Sequence, residues 1–208
     1  MSENSSPIRL DARVRRSRDR LGDALVELVQ EKPFDAITVQ DVLERAGVGR
    51  STFYAHFRDK QDLFLSDADE FFEHMSLALV RGEERSTRLL PARELFAHVA
   101  DMRALFDALA ESGKLEELLA LARAHFARGI AERLARLEGS RALSPRTRSL
   151  LGESLAGAFL ALLTAWLRTS ERDSPERMDE LFHRVAWGGI ESAPAEPDGG
   201  TQARRSQA

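Results

Sequence analysis

Residues 38–60 read TVQDVLERAGVGRSTFYAHFRDK and contain two short helical patterns separated by a glycine-containing turn. In the first pattern Thr38 stands three residues before Asp41, which is the spacing of a capping box at the start of a helix. Apolar residues then recur at the helical spacing i, i+3, i+4 and i+7, at Val39, Val42, Leu43 and Ala46. Gly47 follows and tolerates the positive φ with which helices often end. The sequence therefore predicts a short helix that stops and turns at residue 47.

The second pattern, from about Arg50 to His56, combines one inward-facing aromatic residue with an outward-facing polar set. Phe53 is expected to face the apolar stripe of the first helix. The outward-facing side chains are Arg50, Ser51, Thr52, Tyr54 and His56. A purely structural helix rarely exposes such a set. The arrangement is typical of a helix-turn-helix, whose second helix enters the major groove of DNA.

These residues resemble the DNA-binding segment of the TetR family of bacterial transcriptional regulators. That segment commonly runs Thr-Val-x-Asp-Ile-x-x-x-Ala-Gly-Val-Ser-x-x-Thr-Leu-Tyr-x-His-Phe-x-x-Lys, and the similarity here is nearly continuous from Phe34 to Leu63. One departure is Gly49, where the family more often has serine. The missing hydroxyl removes a potential helix cap or phosphate contact. Beyond this N-terminal segment, only the helical layout is shared with the family.

The resemblance implies that Thr38, Tyr54 and Lys60 contact DNA phosphates, and their chemistry agrees. A hydroxyl beside free backbone N–H groups, a phenol and an ammonium at a helix start all suit a phosphate. The residues expected to read base edges are Arg50, Ser51 and Thr52.

Two of the outward residues and an upstream arginine cluster each keep two interpretations. Arg50 can hold guanine through two hydrogen bonds or bind phosphate alone. His56 can face the DNA backbone or cap the packing beneath the motif. The cluster can position phosphates or form a solvated helix face, and its members are Arg13, Arg15, Arg16, Arg18 and Arg20.

The composition favours a helix-rich globular protein of the cytoplasm. Of the 208 residues, 43% are hydrophobic and 31% charged, and the absence of cysteine excludes disulfides and thiolate zinc sites. The net charge of −4 is unevenly distributed, because residues 1–60 hold 11 basic against 10 acidic residues and the remainder holds 19 against 24. No stretch approaches 18 uninterrupted apolar residues, and the N-terminus lacks a signal-peptide core. We therefore expect neither export nor membrane spanning.

The helical patterns predict an all-α fold with two modules and a tail. Residues 1–64 should form a three-helix DNA-binding domain that contains the helix-turn-helix. Residues 65–191 should form a helical effector-binding and dimerisation domain. Residues 192–208 are rich in Pro, Gly, Gln and Ser and are expected to be disordered. Residues 91–111 read as one helix or two, with Asp101 near a possible interruption.

A dimer is expected because one helix-turn-helix contacts few base pairs, so specificity requires two on a palindrome, about 34–36 Å apart. The predicted helix over residues 145–168 is apolar almost all round, so it packs either within a large core or against a second molecule. Together with the last helix it should form a four-helix interface, as the resemblance also implies. The expected interface residues are Ser154, Ala158, Ala161, Ala165, Leu181, Phe182 and Val185.

The resemblance further implies that a small molecule bound among the middle helices releases the DNA, which is a coupling between two sites. Large apolar side chains can line such a pocket or simply fill the core. The candidates are Phe72, Met75, Phe96, Met102, Phe106, Phe126, Phe159 and Trp166. The sequence does not identify the effector.

The sequence as a whole predicts a dimeric, sequence-specific regulator, a repressor that an effector releases from a palindromic operator in double-stranded DNA. One alternative is a helical ligand-binding or scaffold protein without specific DNA recognition. Another is an activator, since operator placement decides the sign of regulation. An enzyme has no positive support, because the histidines are dispersed and no glycine-rich phosphate loop follows a strand. No catalytic residue, metal site or cofactor is therefore expected, although His98 or His125 can lie in a pocket.

Overall fold

A computed structural model of the chain describes residues 7–81, 87–137, 143–169 and 173–192. The α-helices in these ranges are α1 Pro7–Glu31, α2 Val39–Ala46, α3 Arg50–Tyr54, α4 Lys60–Arg81, α5 Ala92–Asp101, α6 Arg103–Glu111, α7 Leu115–Arg136, α8 Pro145–Arg168 and α9 Pro175–Glu191. One 3-10 turn, Phe34–Ala36, precedes α2, and the described residues contain no strand. The predicted all-α fold class is confirmed. The predicted tail lies outside the described residues, apart from Ser192.

Several helix ends lie where local sequence signals predicted them. Met102 separates α5 from α6, so residues 91–111, which the sequence left open as one helix or two, form two helices. Pro145 and Pro175 occupy first-turn positions of α8 and α9, where a missing backbone N–H is harmless. The caps immediately before them are Ser144, which accepts from the Thr147 N–H at 3.1 Å, and Ser174, which accepts from the Arg177 N–H at 3.3 Å.

The chain divides into two compact units, and the first contains the described residues up to Phe71 together with 99–121. Its core is formed where α1 packs against α2 and α6. Fully buried side chains in this core include Leu21, Phe34, Ile37, Val42, Phe53 and Leu63. The domain boundary predicted at residue 64 stays a prediction. The first compact unit continues to Phe71 and also includes residues 99–121.

The second unit contains Phe72–His98 and the described residues from Ala122 onward. Its core is a chain of aromatic rings in edge-to-face contact, an arrangement that adds about 0.5–1.5 kcal/mol per pair to area burial. Phe159 lies at the centre, with ring centroids 5.6 Å from Phe96, 5.6 Å from Phe126 and 5.3 Å from Phe182. The segment before α5 is tied to α9, because the Leu89 N–H donates to His183 Nε2 at 3.0 Å.

α8 has the length and apolar composition that crossing a membrane requires, and it is the one helix of the described residues that does. Of its most apolar stretch, 44% is buried inside the protomer. The core helix of a soluble protein passes the same test, so this property does not indicate a membrane span.

Candidate nucleic-acid interface

The start of α2 is held by a reciprocal pair of hydrogen bonds between Thr38 and Asp41. The Asp41 N–H donates to Thr38 Oγ1 at 3.1 Å, and the Thr38 N–H donates to Asp41 Oδ2 at 2.7 Å. This is the predicted capping box. Lys32 adds an ion pair to the same carboxylate oxygen at 2.8 Å. The Lys32 ammonium and the two Thr38 donors hold the pKa of Asp41 well below its usual range.

The turn between the two helices depends on two glycines with different backbone conformations. Gly47 ends α2 with φ 60° and ψ 40°, in the left-handed region that favours glycine. The Val48 N–H then returns to the Leu43 carbonyl at 3.1 Å. Gly49 caps α3 with an ordinary extended backbone, φ −72° and ψ 148°, and it offers no side chain to the free N–H groups of α3. As predicted, α3 therefore lacks a side-chain cap at residue 49.

α3 is a short helix whose burial pattern matches the sequence prediction. Phe53 is fully buried, whereas Arg50 and Ser51 are exposed and Tyr54 is 52% exposed. Thr52 is half-buried. The helix ends at Tyr54, and the predicted extension to His56 forms a turn instead.

Arg50 is oriented by α2. Its guanidinium donates to Gln40 Oε1 at 3.0 Å, and Gln40 in turn donates to Glu44 at 2.7 Å. A side chain held in this way is presented in a restricted geometry, which suits base reading better than a freely moving cation does. Sequence reasoning missed Gln40, although its position one turn before Glu44 was a usable signal.

A groove of about 390 Å³ lies beside α3, between α1 and the turn. Its lining includes Arg16, Ser17, Arg20, Thr52 and His56. Cationic and hydroxyl groups around an open groove are the groups that contact DNA phosphates. His56 is half-buried and lines this groove, which favours the interpretation that it faces the DNA backbone.

The upstream arginines divide into two kinds. Arg18 is part of the fold, because it donates to Ser66 Oγ at 3.0 Å and its guanidinium lies 5.2 Å from the Phe57 ring centroid. Arg15, Arg16 and Arg20 are exposed, although Arg20 also reaches the Gly47 carbonyl at 3.4 Å. The side chain of Arg13 lies outside the described part of the structure. The solvated-face interpretation is therefore incorrect for Arg18, which has structural partners.

Lys60 has partners that sequence reasoning did not foresee. Its ammonium donates to the carbonyls of Phe34, Asp35 and Ile37, at 2.7, 3.1 and 2.6 Å. Burial lowers the pKa of Lys60. The resemblance implied a phosphate contact at this position, but the structure directs the three donors inward. The physical reason is that the carbonyls of Phe34, Asp35 and Ile37 converge at the start of α4.

The predicted dimer residues lie mainly on one open face of α8 and α9. Ser154, Ala158, Ala161 and Ala165 are exposed, Leu181 is 39% exposed and Val185 is 62% exposed. Phe182 is a correction, since it is 4% exposed and packs on Phe159 inside the protomer. Leu150 was missed: it is 60% exposed and lies four residues before Ser154, so the helical repeat already pointed to it.

The predicted pocket residues are only partly brought together. Phe72, Phe96, Phe126, Phe159 and Trp166 form one buried chain of rings in the second unit, and Met75 belongs to the same unit. Met102 and Phe106 belong to the first unit. The eight residues therefore do not line one site within a single unit, because the chain returns to the first unit at Val99.

A capped helix, a glycine turn and a short helix with an exposed polar face together define a helix-turn-helix DNA-binding domain. Comparison with known proteins agrees. The family model of bacterial regulatory proteins, tetR family, matches residues 21–66. The chain is also 30% identical to the uncharacterized HTH-type transcriptional regulator YerO of Bacillus subtilis (strain 168) over 78 residues. That match covers 38% of this chain and 27% of the relative's length.

Two solved structures share the fold over most of the chain. A putative TetR-family transcriptional regulator from Syntrophomonas wolfei str. Goettingen has a TM-score of 0.65 and 15% identity, covering 87% of this chain and 98% of the other. A TetR transcriptional regulator from Streptococcus agalactiae 2603V has a TM-score of 0.53 and 22% identity, covering 87% and 99%. The N-terminal segment therefore matches the TetR family model, and the fold is that of TetR-family transcriptional regulators.

Proposed function

We propose that the protein is a dimeric repressor that binds a palindromic DNA operator in the cytoplasm and is released from it by a small molecule. The observation that carries sequence-specific binding is the exposed polar face of α3 above a buried Phe53. On this face Arg50 is oriented by Gln40 at 3.0 Å, which favours a bidentate contact with guanine. Ser51 and Thr52 are the other proposed base contacts, and Thr38, Tyr54 and His56 are the proposed phosphate contacts.

The open face of α8 and α9 supports the dimer. Small side chains on α8 permit close approach of a second helix, and large apolar groups, Leu150 on α8 and Val185 on α9, remain exposed by 60% and 62%. An apolar face of this kind on a soluble regulator is typical of a protein interface. Two α8–α9 pairs related by a twofold axis would bury it in a four-helix arrangement.

The aromatic core of the second unit supports an apolar effector. An apolar small molecule would have to enter beside Phe126, whose ring is in edge-to-face contact with the rings of Phe72 and Phe159. Release of DNA then requires that the effector binds the DNA-free conformation more tightly than the DNA-bound one. We propose this coupling without assigning the effector.

Selection of binding sites from random DNA tests the function. The affinity for the selected sequence and for a scrambled version should be measured at two salt concentrations. We expect the selected sequence to be palindromic and to bind much more tightly than its scrambled version. Weak binding that is independent of sequence and vanishes with salt would mean only phosphate attraction, and the proposal would then be abandoned. A reporter carrying the selected site would test the sign of regulation, with repression expected.

A further inference from the structure

The ammonium of Lys60 is fully engaged by the turn before α2. Lysine carries three N–H donors and no acceptor. Three carbonyl oxygens lie within 3.1 Å of Nζ, those of Phe34, Asp35 and Ile37. The centroid of the Phe34 ring lies 4.9 Å from Nζ, and the ring presents its negatively polarised face to the ammonium. In this geometry every proton of the ammonium has an acceptor within the protein.

These carbonyls lie in the segment immediately before α2, so the contact with Lys60 holds the start of that helix. The Ile37 carbonyl belongs to the same peptide group as the Thr38 N–H, which donates to Asp41 Oδ2 at 2.7 Å. The peptide group that begins α2 is therefore held at both ends, by Lys60 on its oxygen and by Asp41 on its nitrogen. Charge-assisted hydrogen bonds of this kind are among the stronger contacts in a fold.

The chain between these two points contains the whole reading element. α2, the turn and α3 lie between Ile37 and Lys60. A contact that joins the two ends of this segment restricts the orientation of α3 without touching α3. Since only the fraction of molecules with the correct orientation binds DNA, a loss of orientation lowers the apparent affinity in proportion.

We propose that Lys60 is a positioning residue, which holds the peptide group before α2 against the first turn of α4 and thereby presents α3 to DNA in one orientation. The inference rests on the proposed DNA-binding function. It replaces a direct phosphate contact for this side chain, and the two roles make opposite predictions for a variant that keeps the charge.

Lys60→Arg and Lys60→Met separate the two roles. Arginine retains the positive charge, but its planar guanidinium cannot donate to three converging carbonyls as an ammonium does. We expect both variants to bind the selected DNA about tenfold more weakly. The slope of log affinity against log salt concentration should be unchanged, because no phosphate contact is lost. Arg16→Met, at an exposed arginine that lines the groove beside α3, is the matched control, and it should reduce the slope by about 1 through loss of a phosphate contact.

Two results would overturn the proposal. One is wild-type affinity for Lys60→Arg, and the other is a slope reduced by about 1 for Lys60→Met, since each would identify a phosphate contact. If Lys60→Met does not fold, Lys60→Gln, whose amide has two N–H donors, takes its place.

Hydrogen exchange on the free protein tests the contact independently of DNA binding. The amides of residues 36–42 should exchange faster in both Lys60 variants, while those of α8 stay at the wild-type rate. Unchanged exchange at residues 36–42 would refute the positioning role. If the wild-type protein selects no DNA sequence, the proposed function fails, and the exchange result still decides whether Lys60 holds the turn.

Discussion

At the scale of single residues, the phenol of Tyr54 offers the most direct test of DNA contact. Its ring packs edge-to-face on Phe53 at 5.3 Å, and the residue is 52% exposed. Tyr54→Phe keeps this packing and removes only the hydroxyl. We expect affinity for the selected operator to fall about tenfold, which corresponds to one hydrogen bond, while the melting temperature is unchanged. Equal affinity of the two proteins in a fluorescence anisotropy titration would remove Tyr54 from the site.

A second residue, Asp67, links the fold of the first unit to pH. Its carboxylate lies against the backbone of Gly22, where an added Cβ would come within 1.7 Å of Asp67 Oδ2. Only glycine at residue 22 admits the carboxylate in this position. Burial raises the pKa of Asp67 to about 7. Arg18 opposes this shift, and the carboxylates of Glu70, Asp23 and Asp19 reinforce it.

This raised pKa predicts a pH-dependent stability. The folded protein retains the Asp67 proton up to about pH 7, whereas the unfolded chain releases it near pH 3.8. Between these values the folded state binds more protons, so the free energy of unfolding falls as pH rises. Asp67→Asn should remove this fall in the free energy of unfolding. Without a reduction for solvent screening, the fall is on the order of 2–4 kcal/mol. Urea denaturation from pH 5 to 8 measures it, with Glu73→Gln as an exposed control on the same helix. Parallel curves for wild type and Asp67→Asn would contradict the prediction.

At the scale of secondary-structure elements, the start of α3 is incompletely capped. Gly49 has the extended conformation of the serine caps of α8 and α9, but it lacks their oxygen. A Cβ at residue 49 would meet no atom within 4 Å, so serine fits there. Gly49→Ser should stabilise the protein by about 0.5–1 kcal/mol, through the new cap and the stiffer unfolded chain. Differential scanning calorimetry should show a melting temperature about 1–4 °C higher.

Gly113→Ser is the matched control for this prediction. Residue 113 is equally uncrowded, but its φ of 70° strains any residue with a Cβ. The control should therefore lower the melting temperature. A decrease for Gly49→Ser as well would show that its backbone cannot use the added hydroxyl.

Helix ends were the most predictable features of the fold. The limits of α2 and the starts of α8 and α9 follow from capping residues, glycine and proline. These signals act between residues a few positions apart, so no tertiary information is needed.

At the scale of the whole molecule, the open face of α8 and α9 predicts the assembly. Ala161 lies on this face and is exposed in the protomer. Ala161→Glu places a charge where a second copy would bury it, so we expect the proposed dimer to dissociate. Sedimentation velocity should then report the mass of one chain. Ala104→Glu, at an exposed alanine of α6, should keep the wild-type mass. An unchanged mass for Ala161→Glu would exclude this face as the interface.

The candidate DNA-binding surface was predictable for the same local reason as the helices. Phe53 turns inward and Arg50, Ser51 and Tyr54 turn outward because their spacing on one helix determines which of them share a face. Loss of the cap at Gly49 was equally readable, since it depends on one side chain. The linear sequence was therefore sufficient for the fold class, for most helix limits and for the polar face of α3.

The remaining features depend on contacts between residues far apart in the chain. Lys60 reaches carbonyls 23 to 26 positions earlier, and Asp67 lies against Gly22 on another helix. Phe182 has the same helical spacing as its exposed neighbours, yet it is buried because Phe159 lies opposite it. Met102 and Phe106 do not belong to the row of aromatic rings, because the polypeptide returns to the first unit at Val99. A periodic pattern shows which residues share a face of a helix, but only packing shows what that face meets.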